Sequence, residues 1–251
     1  MEVEMARFDL TDFEWSVIQP LLLARVDDRR VLNGIFWRLR TARPGLTFRS
    51  AAHHLREPLQ QVAQGGRLGS AFGSGVKGLR WRHPDDRLIL DPRASARRQR
   101  PKKDERCGCM GRSRGGLTTK IHALVDAEGL PIALKLTEGQ AHDGRSGRDM
   151  LDALVEGQTL LADRAYDSDE LRRSLDERGA WANIKSMPNR KNVPAFSSYL
   201  YRYRNLVERF FNKIKHYRAV ATRYDKTPEN FLAGVKLASL RIWMRFNESI
   251  T

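Results

Sequence analysis

The sequence predicts a mixed α/β fold, and three observations predict it. "LTTKIHALVD" and "LPIALKLTEG" alternate like strands on either side of the turn-like "DAEG", as in an antiparallel hairpin. Beyond it, the apolar run "TLLAD" and the segment "WANIKS" read as further strands, with helical patterns between and after them. Antiparallel strands followed by strands alternating with helices indicate a mixed sheet.

Composition bounds the function. A chain of 251 residues, 41% of them hydrophobic, can bury a real core. A net charge of +15 and a pI near 10.3 cost self-repulsion, which a polyanionic partner such as DNA or RNA would offset. No segment approaches the ~18 consecutive apolar residues of a membrane span, and "MEVEMARFDL" lacks a signal-peptide form. No membrane is therefore expected as a partner. The two cysteines, Cys107 and Cys109, have no second pair or histidine at zinc-ligand spacing, so no zinc site is expected. Their scarcity fits a reducing cytoplasm.

The elements follow in order. A helical N-terminal segment, residues 1–41, opens with Thr11 as N-cap and Glu14 at the capping-box position. It continues through "DDRRVLNGIFWRLR", with Val31, Leu32, Ile35 and Phe36 at helical spacing. Residues 42–106 are rich in Gly, Arg and Gln with poor periodicity, and read as irregular or disordered. Residues 107–251 carry the ordered domain. Within it a helix is expected over Arg148–Val155, and "SDELRRSLDERG" is a second, with Gly179 at its C-terminal cap. The last helix spans about Glu229 to Phe246.

The stretch "YLYRYRNLVERFFNKIKHYR", Tyr199 to Arg218, reads as one amphipathic helix. At about 100° per residue, Val207, Phe210, Phe211 and Ile214 share an apolar face, and Arg202, Arg209 and Lys213 a solvated one. Tyr201, Arg204, Glu208 and Lys215 form a third, narrow stripe. Taken alone, Arg204 and Glu208 are an i, i+4 ion pair on a helix edge. Asp163 ends the strand "TLLAD", where α/β sheets often place site carboxylates, although a capping or turn Asp is the alternative. Carboxylates from separate elements in a polyanion-binding chain fit Mg²⁺, which takes few carboxylates and completes its shell with water and phosphate oxygens. Two such ions hold the attacking and leaving oxygens of a phosphodiester displacement, and this chemistry usually needs a third acidic residue.

"MGRSRGGLTTKIHALVDAEGLP", "GQAHD", "LLADRAYDSD" and "YRNLVERFFNKIKHYRAVATRYDK" resemble bacterial insertion-sequence transposases of the DDE class, in the insertion sequence five group. The narrow stripe fits that class's Tyr-x2-Arg-x3-Glu-x6-Lys signature through Tyr201, Arg204, Glu208 and Lys215. The resemblance implies an RNase-H-like catalytic domain whose first strand is central, behind a short helical leader that binds DNA ends. It implies cleavage and joining of double-stranded DNA at the element's terminal inverted repeats and in target DNA. Two Mg²⁺ ions would be the cofactor, with Mn²⁺ as a substitute. It makes Asp163 the second catalytic acid and Glu208 the third, both metal ligands. Tyr201, Arg204, Lys215, Arg112 and Arg114 become DNA-binding residues. Such an enzyme would work in the bacterial cytoplasm at the nucleoid, and a homodimer on DNA is compatible with it. His142 and Asp143 in "GQAHD" are read as structural or DNA-contacting, His122 as a packed or surface residue, and Arg223 and Lys226 as DNA contacts or a solvated turn.

The first acid should lie in an early-strand motif resembling Ile-Asp-Ser-Ser-x-x-Arg-x-His. "DRLILDPRASARR" stands there instead, with Asp91 as the stand-in. Back-translated and read one nucleotide on, this stretch permits the family motif, with its Asp encoded across the codons of Arg87 and Leu88. "PGLTFRS" and "HHLREPLQQVAQGGRLG" likewise permit family-like sequence in other frames. Residues 42–106 are therefore expected to be an out-of-frame translation without a core, and the protein a transposase by descent that is defective as written. The alternatives are a catalytically dead DNA-binding remnant, and an unrelated nucleic-acid-binding protein whose Glu208 is structural.

Overall fold

The structure, a computed structural model, describes residues 8–21, 28–42, 87–96, 111–113, 116–141, 147–223, 225 and 227–249. The expected loop over residues 43–86, both cysteines, Arg114, His142, Asp143 and Lys226 lie outside them. The chain forms two compact units, one of Met1–Arg80 with Lys213–Thr251 and one of Trp81–Asn212. The boundary expected at residue 107 falls inside the second unit, and the last helix joins the N-terminal ones. Among the described residues, no helix is long and apolar enough to cross a membrane.

The second unit holds one mixed sheet of β1 (Arg87–Ala96), β2 (Gly111–Ser113), β3 (Gly116–Val125), β4 (Pro131–Glu138), β5 (Thr159–Ala162) and β6 (Trp181–Ile184). β1 is central, antiparallel to β3 on one side and parallel to β5 on the other. β6 extends the sheet beyond β5, while β2 and β4 pair with β3. A central first strand in a mixed sheet is the RNase-H-like arrangement expected above.

The irregular reading of residues 42–106 fails at β1. Leu88, Ile89 and Leu90 form an apolar run, and Ile89, a β-branched strand former, is fully buried. Pro92, which would weaken a central strand, lies two positions past the last β5 partner, where, among the described strands, β1 pairs with β3 alone. Breaker residues on both sides hid a strand that tertiary pairing stabilises.

β5 is buried at all four positions, as expected for a strand covered on both faces. Its core includes Leu160, Ala162, Leu171, Leu175, Ile184 and Leu124. The expected hairpin is present in β3 and β4. In its turn, Asp126 Oδ1 accepts the backbone N–H groups of Glu128 (3.0 Å) and Leu130 (2.8 Å), and Gly129 takes φ +77°. The helix expected over Arg148–Val155 is reduced to a 3-10 turn, Leu151–Ala153. Met150 gives it no side-chain cap and Leu154 returns to extended backbone, although Met150, Leu151 and Leu154 are buried as a helical pattern would bury them.

Helix α3 (Asp169–Asp176) is capped by Ser168, whose Oγ accepts the Leu171 N–H at 3.2 Å. Its end carries the paired bonds of a Schellman turn, Ala180 N–H to Leu175 O and Gly179 N–H to Asp176 O, with Gly179 at φ +66°. The helix expected over Tyr199–Arg218 is divided into α4 (Ser198–Tyr201), a 3-10 turn (Arg202–Arg204), α5 (Asn205–Lys215) and α6 (Arg218–Thr222). Its apolar face is as expected, with Val207, Phe210, Phe211 and Ile214 buried.

In the first unit, α1 (Asp12–Ile18), α2 (Asp28–Thr41), α6 and α7 (Pro228–Glu248) pack through Val17, Leu32, Ile35, Phe36, Phe231, Val235 and Leu240. The expected capping box is complete: Thr11 Oγ1 accepts from Glu14 N, and Glu14 Oε2 accepts from Thr11 N, both at 3.0 Å. Glu14 is also fully buried against Arg241, whose guanidinium donates to both its carboxylate oxygens at 3.2 Å.

Candidate active site

Asp163 stands one residue past β5, where the chain leaves the sheet. It caps a 3-10 turn, Arg164–Tyr166, by accepting the Arg164 N–H on Oδ1 at 2.7 Å. The capping alternative is therefore real, but it engages only one oxygen. The Tyr201 hydroxyl donates to that same Oδ1 at 3.3 Å. Among the described residues, nothing donates to Oδ2.

Tyr201 reaches Asp163 because the 3-10 turn that follows it lies against β1 and β5. Its ring packs on Phe196, with centroids 5.2 Å apart, and the Arg204 guanidinium carbon sits 5.8 Å from its centroid. Arg204 Nη2 donates to Glu208 Oε1 at 2.7 Å. A continuous chain of contacts thus joins the two carboxylates: Asp163, Tyr201, Arg204, Glu208. Glu208 is 41% exposed and Arg204 21%, so this end of the chain is open to a solute.

Asp91 is placed by backbone register. β1 and β5 run parallel with Leu90 opposite Ala162, the last of their pairs, and an aspartate follows each in the chain: Asp91 within β1 and Asp163 just past the end of β5. On its other side Asp91 pairs with Ala123 of β3. Arg112 lies on β2, opposite Leu117. Lys215 is exposed on the last turn of α5.

Neighbouring acidic residues have other work. Asp167 is buried and holds Arg172 (2.9 Å), Arg190 (3.1 Å) and the Met187 N–H (2.7 Å). Burial alone would raise its pKa, but the Met187 N–H and the two guanidiniums outweigh it and hold the carboxyl below its ordinary value. It pins the loop after β6 and has no oxygen to offer a ligand. His122 is fully buried, with its ring nitrogens 2.7 Å from the Tyr166 hydroxyl and the Thr137 Oγ1, so of its two readings it is the packed one. Arg223 is buried over the Phe231 ring at 5.0 Å, neither a solvated turn nor a surface contact.

The fit to a divalent cation can be tested on this donor set. Asp163 offers an oxygen and Glu208 is a second hard carboxylate, a donor type that suits Mg²⁺ or Mn²⁺. Among the described residues, no three His, Cys, Asp or Glu side chains form a ready cluster.

The sequence model described as the Transposase DDE domain matches residues 82–241, which takes in β1. The chain is similar to a putative transposase for insertion sequence element IS6501 from Brucella ovis, 42% identical over 130 residues that make up 51% of this chain and 100% of that protein. It is 31% identical over 130 residues to a putative transposase for insertion sequence element IS402 from Burkholderia cepacia, spanning 47% of this chain and 59% of that one. Among solved structures, a piggyBac transposase synaptic complex with hairpin DNA superposes with a TM-score of 0.47 at 10% identity, over 66% of this chain and 48% of that one.

Proposed function

Since the chain belongs to the transposase DDE domain family, we propose that it binds the terminal inverted repeats of an insertion sequence and cleaves and joins DNA there. Members of this family use divalent metal ions, and Mg²⁺, with Mn²⁺ as substitute, is the cofactor proposed here. The observation that carries the reading is the contact chain from Asp163 through Tyr201 and Arg204 to Glu208. It supports treating the signature residues as one working unit.

Asp163 and Glu208, with Asp91 as third acid, would hold the metal ions. Two such ions, when bound, stabilise the attacking and leaving oxygens of an in-line phosphodiester displacement. Tyr201 orients the Asp163 carboxylate through its hydroxyl. Arg204 neutralises Glu208 in the resting site, and its planar guanidinium is of the type that binds phosphate oxygens. Arg112, Arg114 and Lys215 are proposed as DNA contacts, and residues 1–41 as a DNA-end-binding segment. Double-stranded DNA is the partner, a homodimer the assembly on it, and the bacterial cytoplasm at the nucleoid the place of action.

A second reading, favoured by the frame mismatch over residues 42–106, is a DNA-binding remnant that no longer cuts. One assay separates them: Mg²⁺-dependent nicking of a plasmid carrying the gene with its native flanks. The enzyme reading expects nicking by the parent and a loss of at least about 100-fold in Glu208→Gln, with DNA binding retained. Binding without nicking in the parent supports the remnant. Nicking unchanged by Glu208→Gln removes Glu208 from catalysis.

A further inference from the structure

The first unit contains a cavity of about 320 Å³ with an unusual lining. Arg40 of α2, Lys213 of α5, His216 of the turn after it and Arg245 of α7 supply basic groups, and Tyr217 and Phe246 supply aromatic surface. Among the described residues, no carboxylate lines it. Gathering three cations and a histidine around one cavity costs repulsion that an anionic occupant would relieve.

Two of these cations are held in place. The Arg40 guanidinium lies 4.3 Å from the Tyr217 ring centroid, a stacking arrangement that leaves its in-plane donors directed outward. Arg245 is anchored by Nε, 3.4 Å from Glu14 Oε1, and Glu14 is itself buried and engaged by Arg241. Lys213 and His216 are exposed, so they sit at the mouth. Fixed cations around an aromatic floor suit a phosphate with its attached sugar.

We propose that this cavity is a DNA-backbone site in its own right, taking a phosphodiester segment of duplex DNA without help from the carboxylates. The inference rests on the DNA-binding reading above and gives the helical leader a specific contact, Arg40. The cavity draws Arg40 from α2 and its other basic groups from residues far along the chain, so the leader would bind DNA only together with α5 and α7.

The test uses the full chain and a fluorescein-labelled random-sequence duplex, with affinity read by anisotropy between about 50 and 200 mM salt. Lys213→Gln and Arg40→Gln are compared with Arg173→Gln, which removes an exposed cation from α3. The cavity site expects each of the first two to weaken binding about 5- to 10-fold at low salt and to reduce the slope of log K against log salt by about 1. Arg173→Gln should change binding by less than about 2-fold. Lys213 is exposed, so its variant decides the matter if Arg40→Gln unfolds. Parent-like binding in Lys213→Gln, with an unchanged slope, overturns the cavity and leaves the DNA reading standing. No salt-dependent binding by the parent overturns both.

Discussion

Replacing Arg241 with Met should destabilise the chain by about 3–5 kcal/mol. Arg241 is 1% exposed, and it donates to Glu14 Oε1 and Oε2 at 3.2 Å, to Phe8 O at 2.6 Å and to Asp9 O at 2.5 Å. Met keeps most of the aliphatic stem but loses the guanidinium, whose carbon sits 4.7 Å from the Phe36 ring centroid. It removes every donor. Glu14, fully buried, is then left with the Thr11 N–H and the half-exposed Arg245. Each carbonyl that loses its donor adds a desolvation penalty of about 1–3 kcal/mol, and these penalties do not sum in full within one network. For a chain of this size the loss corresponds to a fall in Tm of roughly 6–20 °C. The double variant Glu14→Gln/Arg241→Met should recover about 1–2 kcal/mol, because the amide oxygen still accepts from Thr11 while the buried charge, left with only the half-exposed Arg245 as ionic partner, is gone. Urea unfolding followed by circular dichroism, with a thermal scan beside it, reads both effects. An Arg241→Met variant within about 1 kcal/mol of the parent would refute the reasoning, as would a double variant no more stable than the single one.

Other perturbations follow from the same structure. Burial pushes the Asp126 carboxyl from 3.8 up to about 6. Between those values the folded chain holds more protons than the unfolded one, so this residue's contribution makes stability fall as pH rises, by up to about 3 kcal/mol. Asp126→Asn, whose amide oxygen can still accept the two turn N–H groups, should remove that slope in unfolding titrations between about pH 4 and 6. Gly129→Ala should cost about 1–2 kcal/mol in urea unfolding, since the position has φ +77° and a Cβ there would lie 3.2 Å from Leu206 O. Tyr201→Phe should leave the Tm within a few degrees of the parent and lower the nicking rate about 10-fold, because the hydrogen bond orienting Asp163 is lost. An unchanged rate there would make Tyr201 structural.

What the sequence made legible was local. Thr11 and Glu14 announce a capping box by spacing alone, and the box is present. The hairpin, the strand before Asp163 and the buried face of α5 follow from two- and three-to-four-residue periodicities that depend on no distant partner. Non-local features were hidden. Nothing near Glu14 signals that its carboxylate is shared with Arg241, 227 positions away. β1 was hidden because Pro92 and its basic surroundings argue against a strand, and only the neighbours β3 and β5 reveal one. The helix expected over Arg148–Val155 had the right apolar spacing but too little length and no cap. At the site, the spacing of Tyr201, Arg204 and Glu208 placed them on one stripe. That Tyr201 reaches back to Asp163 depends on the 3-10 turn at Arg202–Arg204, which an ideal-helix wheel does not contain. The cavity lined by Arg40 and Arg245 had no sequence signal, since its walls come from separate helices.

The measurement that bears most directly on the account is a Mn²⁺ titration of the full chain followed by electron paramagnetic resonance, on the parent and on Asp163→Asn, Glu208→Gln and Asp91→Asn. The account predicts saturable binding in the parent that each substitution weakens at least about 10-fold, without a change in fold by circular dichroism. Parent binding that survives both Asp163→Asn and Glu208→Gln, or no saturable binding at all, would contradict it.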